Sequence, residues 1–231
     1  MLTVVVGAGG TCPGLNSGPG GGYSGVFSGP PSQANALVIA GGGGGSSFTN
    51  AGGAGGNPAS IGQGSAPGGA PTIATGGAAG IGSNGGTSGT AGTALTGGTA
   101  GTSEGTIAIG TAAYGNGGVT QSHGYPAGGG GAGYFGGGGD GCTVGATTGA
   151  GGGGLSYYSA VYGGIGTYSN GTTGTVTAPN TSASGYYTAN AAVGGPATST
   201  SVGGNGLVVI IAHGTTTVFT YTGGPQTYTV P

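Results

Sequence analysis

Residues 127–154 read AGGGGAGYFGGGGDGCTVGATTGAGGGG. Glycine runs are separated there by one aromatic pair, Tyr134 and Phe135, and by one short polar insert. Glycine has no Cβ, so it reaches φ values that other residues avoid and lets two backbones approach closely, but it loses the most entropy when ordered. A run of this density is either a disordered linker or a place where main chain packs on main chain. The fold of the whole chain turns on that choice.

Composition argues for packing. Of 231 residues 70 are Gly, Lys+Arg number 0 and Asp+Glu number 2. An average chain is about 25% charged. Collagen needs Gly at every third position and at least about 15–20% Pro; here Gly comes in runs and Pro numbers 12. Disordered chains combine low hydrophobicity with high net charge, whereas this chain is 34% hydrophobic, with mean hydropathy +0.15 and net charge −2. Without Lys or Arg nothing neutralises phosphates, so nucleic acid is excluded as an electrostatic partner and a polybasic membrane-surface mode is disfavoured. Near-zero net charge favours association, so self-association is expected.

Met1–Val6 lacks a basic leader region and its apolar run is too short for a signal peptide. No apolar stretch approaches the roughly 18 residues of a membrane span. Cys12 and Cys142 are the only cysteines. They form either one disulfide closing a long loop or two separate thiols.

Outward from the glycine runs, β-branched and aromatic segments mark the strands. They fall at 2–6, 37–40, 155–162, 207–212 and 216–230, with a glycine-rich extended region over 41–154 in a single domain 1–231. Leu37–Ala40 and Leu207–Ala212, uniformly apolar, read as buried strands. Residues 11–35 read as loop anchored by Tyr23, Val26 and Phe27. Thr216–Thr222 and Gln226–Val230 alternate around Gly223-Gly224 and read as a hairpin. Thr106–Ile109 reads as a short strand, and no amphipathic helix is expected.

Gly86, Gly89 and Gly92, then Gly98 and Gly101, share a three-residue register that Leu95 interrupts. Three residues per turn is the period of polyproline II, which makes no internal hydrogen bonds. Its buried N–H and C=O groups need neighbours, and several such helices side by side supply them. The alternative is a solvated linker; the hydrogen-bond requirement favours packing. The expected fold is all-β: a small β-sandwich or jelly-roll-like sheet from both chain ends, combined with polyglycine II-type extended helices.

The succession LTVVVGAGG, ALVIAGGGGGSSF, AGGGGAGYFGGGG, GAGGGGLSYY and GGNGLVVII resembles the glycine-rich domain of virion-associated and surface proteins of large DNA viruses and phages. It is distantly similar to the glycine-rich ectodomain of the anaplastic lymphoma kinase receptor. The resemblance spans nearly the whole chain and implies bundled polyglycine II helices beside β elements. In the family a segment like VFTYTGGPQTYTVP opens the domain, whereas here it closes the chain, as if permuted. Thr216–Val230 is therefore expected to fold back onto its own sheet or to complete that of a neighbouring copy.

Chemistry is sparse. His123, His213, Asp140 and Glu104 are the conventional acid–base groups. His213, after an apolar strand, reads as a structural histidine, and Asp140, between glycines, as a loop tip. Two acids cannot build a Ca²⁺ site. Gly7–Gly10 lacks the helix and the Lys of a phosphate loop. No catalytic, metal or cofactor site is expected. Asn170 and Asn180 stand in glycosylation triplets. Tyr134, Phe135, Tyr157, Tyr158, Tyr186 and Tyr187 are candidates for a contact surface; core or inter-subunit packing explains them equally well. The expected role is a non-enzymatic structural component of a virion or extracellular assembly. The alternatives are an adhesin tip recognising a host surface through tyrosine-bearing loops and, with threonines that look scattered, a water-ordering face.

Overall fold

The computed structural model describes residues 1–10, 18–47, 50–65, 67–84, 86–102, 107–108, 117–118, 121–122, 127–142, 149–162, 166 and 204–231. Its regular elements are mostly strands in antiparallel sheets. They are β1 (Leu2–Val5), β2 (Ser24–Phe27), β3 (Ala36–Ala40), β4 (Ile107–Ala108), β5 (Gln121–Ser122), β6 (Tyr157–Tyr158), β7 (Val208–Ala212), β8 (Thr215–Phe219) and β9 (Gln226–Tyr228). Among the described residues there is no α-helix; single 3-10 turns lie at Gln33–Asn35 and Ala160–Tyr162.

The main sheet has the order β6-β3-β2-β1-β9. Its centre is β2, buried along its whole length, where sequence reasoning saw a loop. β1 pairs with β2 (Val4 opposite Val26) and with β9 (Leu2 opposite Tyr228). Side chains alternate across a strand, so the valines of β1 serve two faces. Val5 joins Tyr23, Phe27, Ala36, Ile39, Leu95 and Ala132 on one face. Val4 and Val6 join Phe219 and Tyr228 on the other, with Val208, Ile210 and Ala212 packed alongside. The hairpin β7–β8 thus covers one face, and Leu95 and Ala132, from the glycine-rich region, cover the opposite one.

Three strand expectations are corrected. The segment 216–230 is not one hairpin: β8 pairs with β7, while β9 crosses to β1 of its own chain. The turn is His213-Gly214, with φ of 48° and 78°, the two positive values that a tight two-residue hairpin requires. His213 is accordingly exposed rather than structural. Of 155–162 only Tyr157–Tyr158 is strand. Neither apolar strand is uniformly buried, since Val38 in β3 and Ile211 in β7 are exposed.

The glycine-rich segments form a bundle held by main chain. Residues 127–133, 136–142 and 149–155 lie innermost, buried except at Tyr134 and Phe135 between the first two. In a β-sheet, successive residues alternate between two neighbours. Here three successive residues reach six. The Gly129 amide donates to the Gly18 carbonyl and the Gly129 carbonyl accepts from Gly45; Gly130 bonds Gly98 and Gly118; Gly131 bonds Gly152 and Gly137. Partners return every third residue. The amides of Gly136, Gly139 and Cys142 donate to Thr93, Thr90 and Thr87, and the matching carbonyls accept from Gly77, Gly80 and Ser83.

Around these three inner segments stand, among the described residues, nine outer ones, at 18–22, 41–45, 51–56, 60–63, 67–70, 76–80, 86–93, 96–102 and 117–118. Each bonds the next in chain order: Gly21 to Gly43, Gly44 to Gly53, Ser60 to Ala54, Gly62 to Gly68, Gly69 to Ala78, Gly92 to Gly77 and Thr90 to Thr99. A contact between Gly97 and the Gly118 amide, and the bond from Gly20 to Gly118, close the ring. The chain runs once around the ring and then fills the middle. Gly86, Gly89 and Gly92, the register legible in the sequence, turn their bare Cα toward 136–142, where a Cβ would meet the carbonyls of Cys142, Gly139 and Gly136.

Threonines on two outer segments are not scattered but ranked. Thr87, Thr90 and Thr93 oppose Thr102, Thr99 and Thr96 through main-chain bonds. The Thr87 hydroxyl accepts the Thr102 amide at 2.8 Å and lies 3.0 Å from the Thr102 hydroxyl, and the Thr90 hydroxyl accepts the Thr99 amide at 2.7 Å. These hydroxyls replace the bundle neighbour that an outer segment lacks. Thr87→Val and Thr90→Val are each expected to cost about 1 kcal/mol in urea denaturation. Thr93→Val, with no such amide to hold, should stay within about 0.5 kcal/mol.

Candidate functional site

Among the described residues two places concentrate the chemistry, one at each end of the bundle. At the sheet end the inner segments 127–133 and 136–142 are joined by Tyr134-Phe135. The Tyr134 amide donates to the Leu155 carbonyl, the Leu155 amide donates to the Phe135 carbonyl, and the Tyr134 carbonyl accepts the Leu95 amide. The Gln33 side chain donates to the Tyr134 carbonyl. Tyr134 stacks on Tyr157 of β6 with ring centroids 4.0 Å apart and planes at 19°, and Phe135 meets Tyr134 edge-on at 5.6 Å. Both Tyr134 and Tyr157 pack against the core cluster of the sheet. Desolvation, and then the neighbouring Tyr157, push the Tyr134 phenol above its ordinary pKa. The Tyr134 ring is therefore expected to ionise at a higher pH than a free tyrosine, as its ring-carbon NMR shift would report.

The structure thus brings together Tyr134, Phe135 and Tyr157, with Tyr158 next along β6. Tyr186, Tyr187, Asn170, Asn180, Cys12, His123 and Glu104 lie outside the described residues. The pairing of Cys12 with Cys142 falls there too; Cys142 itself is buried.

At the other end of the bundle is Asp140. It is no loop tip: its relative exposure is 0%. Its main chain is locked between Gly128, to whose carbonyl its amide donates, and Gly101, whose amide its carbonyl accepts. Carboxyl oxygen Oδ1 accepts the Gly149 amide at 3.1 Å, and Oδ2 has no hydrogen-bond partner among the described residues. Burial pushes the carboxyl up to about 8, against a smaller opposing pull from the main-chain amides of Gly149, Gly128 and Gly141. Nothing in GGGDGC signals this, because burial comes from segments distant in sequence.

Among the described residues no group of three His, Cys, Asp or Glu side chains is placed to hold a metal ion. Nor is any helix among them long and apolar enough to cross a membrane. Compared with protein-family models, curated proteins and solved structures, the chain matches none.

Proposed function

We propose that the chain is a non-enzymatic structural component of a virion or other extracellular assembly. In this reading its glycine-rich segments are polyglycine II-type extended helices, and the main sheet with hairpin β7–β8 is a small β-sandwich seated on their ends. The observation that carries it is the interior made of main chain, in which Gly129, Gly130 and Gly131 bond six different segments. A helix with three residues per turn and no internal bonds directs its amides in three directions and so calls for that pattern. Such a bundle is stiff without charged or catalytic side chains, which suits a load-bearing or surface element. The likeness of VVVGAGG, LVIAGGGGG and GNGLVVII to virion and phage surface domains points the same way.

Two measurements test the two halves of this reading. Couplings across hydrogen bonds in NMR should connect the amides of Gly129, Gly130 and Gly131 to the carbonyls of Gly18, Gly98 and Gly152; an alternating two-partner ladder would sink the bundle. Immunogold electron microscopy of the producing culture should label particle or cell surfaces; label confined to the unassembled soluble fraction would remove the structural role.

The ranked threonines favour one second reading, a water-ordering face. Thr87, Thr90, Thr93 and Thr96 are exposed together with Ser88, Ala91 and Ala94. Thermal hysteresis in a freezing assay, lost in Thr90→Tyr, would support it; none at high protein concentration would dismiss it.

A further inference from the structure

We propose that Asp140 is a proton-operated fastener: its neutral carboxyl closes the bundle at the end away from the sheet, and loss of the proton loosens that end while the sheet stays folded. The inference starts from geometry. The side chain is fully buried, one oxygen ties the inner segment 136–142 to Gly149 at the start of 149–155, and the other oxygen has no partner among the described residues. An uncompensated buried carboxylate costs several kcal/mol. The chain contains no Lys or Arg to compensate it. The described residues that bond Asp140 or lie against it include Gly128, Gly101, Gly89, Gly141 and Gly149, none of them titratable. Cys142 stands two residues along the same segment, and His213 is on the hairpin turn of the sheet layer.

Release is local because the two ends are held differently. The sheet end is pinned by two apolar clusters. The Asp140 end is held mainly by main-chain hydrogen bonds, and elements with few apolar contacts open first.

The sign follows from linkage. The folded state keeps the proton up to about pH 8, while the opened state gives it up near the ordinary aspartate value of 3.8. Between those values each opening releases one proton, so the opening equilibrium rises about tenfold per pH unit. Stability of this end is full in acid, falls as pH rises from about 4 to about 8, and is level beyond.

The test is amide exchange by NMR on the full chain, corrected for intrinsic rates. From pH 5 to pH 7 the protection of Gly139, Cys142 and Gly151 is expected to fall about 100-fold, while that of Val26 and Ile39 holds. In Asp140→Asn, which keeps the shape and cannot ionise, the fall should vanish. Protection that is flat with pH in the wild type overturns the proposal, as does an equal loss at Val26 and Ile39 or a fall that persists in Asp140→Asn. Should that variant not fold, the carboxyl-carbon shift of Asp140 in the wild type decides: a midpoint at the ordinary aspartate value overturns the fastener, and one well above it supports it.

Discussion

Gly137→Ala is expected to abolish folding, although it adds a single methyl group. A Cβ at Gly137 would overlap the Gly152 carbonyl and stand 2.6 Å from that of Gly153. Neither oxygen belongs to a side chain that can swing away; both lie on the inner segment 149–155, whose own bonds hold it against the outer ring. The segments must move apart, and Gly137 and Gly152 both take part in the six-neighbour pattern. The loss should exceed about 4–5 kcal/mol, comparable with the whole stability of a typical domain. Gly43→Ala is the matched comparison. Gly43 is exposed, and the nearest atom to its Cβ would be the Gly53 carbonyl oxygen at 3.6 Å. That substitution should be neutral or stabilise by about 0.4–1 kcal/mol, through the smaller freedom of the unfolded chain. Urea midpoints check both. A Gly137→Ala protein as stable as the wild type would mean that the inner segments are not in contact.

Phe27→Ala should cost about 3–5 kcal/mol and weaken both layers together. Phe27 is 0% exposed at the end of the central strand, with Tyr23 edge-on at 6.0 Å. Its cluster includes Leu95 and Ala132, which belong to the glycine-rich region. The side chain is thus a joint between sheet and bundle. Tyrosine near-ultraviolet signal and the exchange of Gly130 and Gly137 amides should shift to the same lower midpoint. Bundle protection unchanged in Phe27→Ala would show the layers to be independent. Val38→Thr, on the neighbouring strand at 46% exposure, should stay within about 0.5 kcal/mol.

These two sites show what the sequence could and could not reveal. LTVVV, ALVIA and LVVII were legible because β-branched apolar runs announce strands. SGVF was not: it is four residues long, contains a glycine and sits among Gly, Pro and Ser, so its signal was only the anchors Tyr23, Val26 and Phe27. Alternation located β8 and β9 but not their partners, since nearness in sequence suggested a hairpin between them. The positive-φ pair His213-Gly214 and the β1 edge decided otherwise. The glycine register at 86, 89 and 92 was readable as a period of three. Which segments meet was not, because contact between bare backbones leaves no side-chain pattern to read. Asp140 was missed for the same reason.

The winding order of the bundle bears on how the molecule is made. A ribosome delivers the amino-terminal part first, so the encircling segments emerge before those they encircle. Until residue 154 has been translated, the inward-facing amides and carbonyls of that wall have only water or wrong partners. Consolidation must therefore await the final pillars, and nascent chains stalled near residue 120 should remain sensitive to proteases such as elastase while the finished protein resists them.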